Sequence, residues 1–588
     1  MNNVYFVQIS PHTLWENWST DYHYKYNPEK ALEEINLYES DKLKYTEEKM
    51  AKSKVGAFFP YTVGLLWSYA KTFDFVTDNY EHKETFLFRE PLVKILERIE
   101  KPSVIAASCY IWNLNFNLSV LKAVKELYPE CTTVVGGPSI PYNDKTFFEQ
   151  RPYIDVAATQ EGEQVFVDVL KENLNGKHFD NVKGVYTNNI FTEKQARIDD
   201  INKIPSPYLT GEFDKFVKEN PNTYFAAIYE TDRGCPFKCT FCDWGNLTHQ
   251  KVKLYDINRS KAEVDWMAEN NVNAVWFANA NLGMFRKRDI DIVDHIEQTY
   301  YETGQVSNIF VTGFSKTPPE KSGVREIQEK LFNIETHDKR RENSLRDRAK
   351  LSIQSFDENI LEIIKRKNLE VDYQRLLRDT HDAIGDEDEY EVELIFPLPG
   401  HTYKTFAKDI ANLMDRPLAI PRVYYGLVLP NSEMANESYR EKYGLQMAQI
   451  PYNFMWVNGY RMSNDGRVME EYECEVADVI ISTKDMDEDE TKKAWMFLWV
   501  AETFFWYGFS KNNTKLSNYE YYTRLQDYII NSDGFLNELY CELLNEMGTC
   551  YWAHDLQYTI RATNGTVEKI SRKKHKMKKE IKKFLETL

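Results

Sequence analysis

Cysteine is scarce in this chain: eight residues among 588, too few and too unevenly placed for a disulfide scaffold. Cys109, Cys131, Cys474, Cys541 and Cys550 stand alone, as small core thiols do. Long apolar runs are also missing. The most apolar window, Ala494 to Phe509, is shorter than a bilayer span and contains Glu502, so it reads as a core helix and no membrane span is expected. The opening Met1-Asn2-Asn3-Val4-Tyr5-Phe6-Val7 lacks the charged start, apolar middle and small-residue cleavage site of a signal peptide, which points to the cytoplasm. Positive charge is in deficit, with 91 Asp and Glu against 73 Lys and Arg and a net charge of −18. A general nucleic-acid binder needs the opposite balance to displace counterions from phosphates, so nucleic acid is not an expected partner. Arg572 to Lys583, with eight Lys and Arg residues, runs against this balance. A solvated last helix accounts for that tail, and so does contact with RNA or an acidic protein.

What is present suits packed domains. Hydrophobic residues make up 42% of the chain and aromatic residues 14%, and the length calls for several cores. Strand-like runs at Val4 to Ile9, Ser103 to Ser108, Thr132 to Val135 and Asp155 to Ala158 alternate with helices at Leu118 to Leu127 and from Glu161 to about Leu170. This predicts an α/β domain over residues 1–198 with a doubly wound, Rossmann-like parallel sheet. Between the first two strands, Phe58 to Leu66 reads as a turn at Pro60-Tyr61 leading into an apolar-faced helix. Ligands of such sheets bind beyond the carboxyl ends of the strands. Ser108, Asn113, Gly136, Gly137, Ser139, Glu161 and Gly162 fall there. The glycines allow close backbone approach to a ligand, and an ordinary tight turn explains them equally.

After a linker at Asp199 to Pro207, stiffened by Pro205 and Pro207, the alternation resumes. Strands are predicted at Thr223 to Glu230, Asn273 to Ala278, Asn308 to Gly313, Lys350 to Ser355, Tyr390 to Phe396 and Arg422 to Leu429. Six parallel strands over residues 199–440 fit a partial (β/α)6 barrel. The charged stretch Lys316 to Lys350 is longer than a usual crossover and reads as a surface excursion. From about Glu441 a mainly α-helical domain, 441–588, takes over. Its aromatic runs, Met455-Trp456, Trp495 to Trp499, Phe504 to Tyr507 and Tyr519 to Tyr522, read as core. The acidic run Asp485 to Glu490 reads as a solvated loop.

Three of the eight cysteines are clustered: Cys235-Pro236-Phe237-Lys238-Cys239-Thr240-Phe241-Cys242 follows the strand at 223–230 directly. Three thiolates satisfy three corners of an iron–sulfur cubane and leave one iron for a ligand that is not protein. Zinc would want a fourth protein ligand, and none lies nearer than His249.

The Cys-x-x-x-Cys-x-Φ-Cys spacing, with Phe241 as Φ, resembles the signature of the radical SAM superfamily, in which the 4Fe-4S cluster binds S-adenosylmethionine (SAM) at its unique iron. Later strands resemble the same superfamily. Phe277-Ala278-Asn279-Ala280-Asn281 is similar to the second-strand stretch of cobalamin-dependent members, with Asn279 where Asp is usual. Leu351 to Ser355 followed by Arg366-Lys367-Asn368, Glu393 to Gly400, and Leu429 to Ala435 resemble the fourth, fifth and sixth strand ends. The resemblance implies that Cys235, Cys239 and Cys242 hold the cluster and that Phe241, Asn279, Asn281, Gln354, Ser355, Glu393 and Pro399 contact SAM.

The first domain resembles the cobalamin-binding domain that precedes many such enzymes, in the phrases Ser108-Cys109-Tyr110-Ile111-Trp112-Asn113, Gly136-Gly137-Pro138-Ser139 and Gln160-Glu161-Gly162-Glu163. This implies cobalamin contacts from Tyr61, Ser108, Tyr110, Trp112, Asn113, Gly136, Gly137, Ser139, Glu161 and Gly162. The Asp-x-His-x-x-Gly motif that gives cobalt a histidine elsewhere is absent, so the lower cobalt face is left to water or a non-histidine side chain. By this resemblance the chain is a methyltransferase: a 5′-deoxyadenosyl radical from SAM takes a hydrogen from an unactivated carbon, and methylcobalamin delivers the methyl group. Ring contraction, cyclisation or epimerisation with the same cofactors, or RNA modification, stay open. The implied partners are a small-molecule or peptide substrate and an electron donor such as flavodoxin or ferredoxin.

Overall fold

The computed structural model describes residues 1–10, 55–221, 223–244, 251–317, 321–337, 350–366, 390–415, 419–451, 475–506, 514–549 and 572–588. Its first sheet has seven strands: β1 (Asn2–Val7), β3 (Tyr80–Phe86), β4 (Pro102–Ser108), β5 (Thr132–Gly136), β6 (Val156–Ala158), β7 (Val185–Thr187) and β8 (Ile190–Phe191), in the order β3-β1-β4-β5-β6-β7-β8. Helix α2 (Leu114–Leu127) is the crossover from β4 to β5, and α3 (Gly162–Leu174) links β6 to β7. Alternation along the central strands fills two cores at once: Val4, Phe6, Val104 and Ala106 pack on one face, Tyr5, Val7, Ile105 and Ala107 on the other. A sheet buried on both faces needs strands that are apolar throughout, which is why these runs stand out in the sequence.

The sheet departs from all-parallel at one edge. β6–β7 and β7–β8 pair antiparallel, while β3 pairs parallel with β1 at the other edge. β3 reads Tyr-Glu-His-Lys-Glu-Thr-Phe, a charged pattern that suits an edge strand and conceals it from a search for apolar runs.

The barrel is built from two parallel sheets. One holds β13 (Asn308–Val311), β12 (Ala274–Phe277), β9 (Thr223–Tyr229) and β2 (Val55–Phe58); the other holds β14 (Lys350–Gln354), β15 (Tyr390–Phe396) and β16 (Ala419–Tyr425). The six strands expected are present, and β2 adds a seventh from within residues 1–198: Val55 pairs with Thr223 and Phe58 with Ala226. The first domain and the barrel therefore interlock. The expected linker is packed too, with Ile201, Ile204 and Tyr208 buried and the Tyr208 hydroxyl donating to Ile228 O at 2.7 Å. One core cluster runs from Val4 and Phe6 through Tyr208 to Tyr229 and Phe277.

The stretch from Lys316 is not wholly a surface excursion. It contains α6 (Val324–His337), a crossover helix whose Ile327, Leu331 and Ile334 are buried. Charge on its outer face masked this stripe, spaced for one helix side.

At the carboxyl end, β17 (Gln446–Pro451) and β18 (Val476–Ser482) pair antiparallel. Then α9 (Glu488–Trp506), α10 (Asn518–Asn531), α11 (Phe535–Thr549) and α12 (Lys574–Leu585) follow. Their aromatics form a core against the outer face of β14–β16, where Trp495, Tyr521 and Tyr522 join Phe396 and Tyr425. Glu488, Asp489 and Glu490 form the first turn of α9, where carboxylates favour the helix dipole. In α12, Met577, Ile581 and Phe584 are buried and the lysines face outward. Met455-Trp456, Tyr507, His249, Lys367-Asn368, Cys474 and Cys550 lie outside the described residues. Among the described residues no helix is long and apolar enough to cross a membrane.

Candidate active site at the strand ends

The three cysteines sit in the loop after β9, between the two strands of a short ribbon, β10 (Asp232–Arg233) and β11 (Lys253–Leu254). Thr240 fixes the loop from inside. Its N–H donates to Ile364 O at 3.0 Å, its carbonyl accepts from Met434 N at 3.0 Å, and its hydroxyl shares a 3.1 Å hydrogen bond with Tyr439. Asn281 Nδ2 donates to Cys235 Sγ at 3.3 Å and Arg366 Nη1 to Cys239 Sγ at 3.8 Å. Burial, then the charge of Asp243, pushes the Cys242 thiol up to about 12, so a metal must displace a proton to bind there. Lys316 is drawn down to about 7 by burial and by Arg366, against the pull of the three thiols. Among the described residues no three His, Cys, Asp or Glu side chains converge as a single-ion site requires. Three thiols on one pinned loop are the donor set that a cubane cluster takes, with one iron left to another ligand.

The residues assigned to SAM fall into two groups. Asn279 and Asn281 leave β12 beside the cysteine loop. Asn279 Nδ2 bonds to Thr231 Oγ1 at 2.8 Å and to the Asp232 carboxylate, and both asparagine Oδ1 atoms are buried without a protein hydrogen bond. Two orphan acceptors near a carboxylate fit a cationic donor such as the amine of SAM. Asp232, which the sequence reading passed over, thus brings to Asn279 the carboxylate that position lacks. Burial pushes Asp232 up to about 7 despite its bond from Asn279.

The second group lies on β14 and β15. Gln354 is buried, has φ +69° and leaves Oε1 unpaired, a strained placement of the sort found at ligand sites. Glu393 accepts from Ser352 Oγ and, at 3.2 Å, from Tyr424 OH. Arg366 also donates to Ser352 O, which links Cys239 to this strand. Ser355 is turned away, its hydroxyl donating to Asp409 Oδ2 at 2.6 Å, so it shapes the turn. Pro399 is buried in a turn where His401 Nδ1 accepts from Leu398 N at 2.8 Å. Phe241 lies below the Arg366 guanidinium, 6.0 Å from it.

The residues assigned to cobalamin gather on the rim of the first sheet. Tyr110 and Trp112 stack at 4.6 Å and 6°. The Tyr110 hydroxyl shares a 2.9 Å hydrogen bond with Thr62 in α1 (Tyr61–Ala70). Desolvation holds the Tyr61 and Tyr110 phenols neutral well past physiological pH.

Several assigned residues serve the rim itself. Asn113 accepts from Tyr110 N at 2.7 Å and donates to Ile9 O at 3.0 Å and Ser108 O at 3.3 Å. Gly137 has φ +105°, and a Cβ there would lie 2.5 Å from Cys109 O; Ser139 N donates to that same oxygen at 3.2 Å. Gly162 lies under Leu66, and Glu161 binds Arg197 at 3.0 Å. What stays open is the Tyr61 hydroxyl, buried without a protein partner, and Gly136, whose nearest obstacle to a Cβ is Ala158 at 3.5 Å. A buried orphan hydroxyl and a bare backbone edge beside stacked rings fit a large flat ligand with polar margins.

Sequence reasoning also missed Glu475. It enters the rim from β18's approach, binds Arg89 at 2.9 Å and accepts from Asn115 N at 2.9 Å and Phe116 N at 3.1 Å, in the first turn of α2. Its distance in sequence hides it, and no local signal marks it.

Comparison with known proteins agrees with this geometry. A B12-binding-domain model matches residues 76–170. The chain is 30% identical over 504 residues to the cobalamin-dependent radical SAM methyltransferase TokK of Streptomyces tokunonensis, covering 83% of this chain and 70% of that protein. It is 31% identical over 441 residues to the 2-(S-pantetheinyl)-carbapenam-3-carboxylate methyltransferase of Streptantibioticus cattleyicolor, covering 74% and 61%. The fold is similar to that of TsrM from Kitasatospora setae, solved with cobalamin and a [4Fe-4S] cluster: TM-score 0.53 at 12% identity, over 93% of this chain and all of that one. It is likewise similar to OxsB solved with aqua-cobalamin, with TM-score 0.52 at 13% identity, over 100% and 84%.

Proposed function

This chain belongs to the cobalamin-dependent radical SAM enzymes, and on that premise we propose that it transfers a methyl group to an unactivated carbon. The observation that carries the reading is that the two relatives named above, each aligned over most of the chain, are both methyltransferases. Bound together, cluster, SAM and cobalamin supply the hydrogen abstraction at carbon and the methyl group that replaces the hydrogen.

The chain's own side chains bind and orient. Cys235, Cys239 and Cys242 would hold the cluster, with Asn281 and Arg366 donating to two of the sulfurs. Asn279, Asn281 and Asp232 offer acceptors to an amine, and Gln354 an acceptor from the opposite sheet. Tyr61, Tyr110, Trp112 and Gly136 would receive the corrin, and the two phenols, kept neutral by burial, donate hydrogen bonds without adding charge. Arg233 ties the cysteine loop to the first domain, binding Glu163 at 2.7 Å.

The similarity to a carbapenam methyltransferase makes a β-lactam carboxylate the first acceptor to offer. Reduced, reconstituted protein given SAM with a trideuterated methyl group should return an acceptor carrying that group, read by mass spectrometry. An acceptor altered without gaining label contradicts methyl transfer and favours another radical rearrangement.

A further inference from the structure

The neck of the cysteine loop is held by the first domain through two carboxylates on either side of Gly162. On the entry side, Arg233 is half-buried; Nη1 donates to Glu163 Oε1 at 2.7 Å, Nε and Nη2 grip Glu230 at 3.0 and 2.9 Å, and Nη2 reaches Tyr255 OH at 3.2 Å. On the exit side, Arg197 joins Glu161 Oε1 at 3.0 Å and donates to Lys251 O at 2.9 Å, while Lys253 Nζ reaches Ile198 O. Glu163 is 4% exposed and stands in the first turn of α3, so it moves with the Glu161-Gly162 rim. The sequence separation is large, yet both ends of the loop that carries the cysteines rest on one turn of the other domain.

From this geometry we propose that Glu163 is a positioning residue: through Arg233 it couples the rim of the cobalamin cradle to the cysteine loop, so that filling the cradle tightens SAM binding at the cluster. The coupling rests on the assignment of both cofactors given above, but not on methyl transfer. Charge-assisted bonds in a part-buried setting are short and directional. A shift of the 161–163 turn toward a bound corrin is thereby passed to Arg233, two residues before Cys235. Coupling between binding sites is reciprocal, so SAM must tighten cobalamin by the same factor.

The test uses full-length protein with its cluster reconstituted anaerobically, hydroxocobalamin and SAM. SAM affinity is measured by equilibrium dialysis with and without hydroxocobalamin, and hydroxocobalamin affinity with and without SAM. In the native protein each ligand should tighten the other by at least about fivefold. In Glu163→Gln, which keeps shape and removes the charge, the factor should fall below about twofold while each affinity alone and the cluster absorbance are kept. Arg233→Lys, which loses the fork geometry, should lose the coupling in the same way, and it serves as the readout if Glu163→Gln fails to fold. Equal SAM affinity with and without hydroxocobalamin in the native protein overturns the proposal, as does full coupling in either folded variant. Intact coupling with no label transferred from SAM would instead count against the methyltransferase reading alone.

Discussion

The cysteine loop and the cobalamin rim solve the same task, holding a large cofactor, by opposite means. The loop is fixed at Thr240 by three hydrogen bonds, but its thiols are left to be completed by a metal, with Cys242 held protonated by burial. The rim is held in shape by the chain itself: Asn113, Gly137 and Ser139 spend their polar and conformational capacity on the loop from 108 to 113, and the Tyr61 hydroxyl and the Gly136 edge are left open. One site is made of ligand atoms on a pinned loop, the other of backbone shape. Chemistry therefore resides in a few replaceable atoms at the first and in packing at the second.

Variants should separate the two accordingly. The largest effect belongs to Cys239→Ala. It should abolish cluster absorbance and SAM cleavage together, a loss of roughly 1,000-fold or more in 5′-deoxyadenosine formation; full cleavage without the cluster would break the contrast at once. Next comes Glu475→Ala. It leaves Arg89 buried beside Trp112 O without its carboxylate and strips two N–H groups of α2 of an acceptor. Breaking a buried pair from one side costs about 3–5 kcal/mol. The first domain should melt earlier in differential scanning calorimetry and cobalamin should bind more weakly, while iron content of the folded fraction stays near native.

A smaller effect is expected at the paired glycines. Gly137→Ala meets a backbone oxygen at positive φ, at a cost of about 1–3 kcal/mol. Gly136→Ala has room and should keep its melting temperature. If Gly136→Ala nevertheless lowers cobalamin affinity by about tenfold, the ligand itself approaches that backbone; unchanged affinity would move the ligand elsewhere on the rim.

The smallest effect is one of pH at the cysteine loop. Burial raises the Asp232 carboxyl to about 7, so the fold favours its protonated form. Stability from this group is fully present below the ordinary carboxylate range and is lost as pH rises through about 7. Asp232→Asn stays neutral and should melt progressively higher than the native apoprotein as pH rises from about 5 to 8. A melting difference that does not vary with pH contradicts the assignment.

Much of this was legible in the residues. The central strands announce themselves because both faces of each sheet are buried, and the cysteine spacing carries its own chemistry. β2 and β3 were not legible, since four residues at Val55–Phe58 and a charged edge strand bury no continuous apolar run. Nor were the tertiary roles of side chains. Asn113 and Ser355 look like ligand contacts in sequence and are occupied by the chain, whereas Asp232, Glu163 and Glu475 act across separations that no local pattern encodes. α6 was hidden because its charged outer face outweighs three buried aliphatics.

The central proposal is that a hydrogen taken from an unactivated carbon is replaced by a methyl group, which would spend one SAM at the cluster and a second in reloading the methyl carrier. Its most direct measurement is the ratio of 5′-deoxyadenosine to S-adenosylhomocysteine formed per methylated product under reducing, anaerobic conditions. The account predicts the two in about equal amounts. Steady 5′-deoxyadenosine with product but without S-adenosylhomocysteine would contradict it.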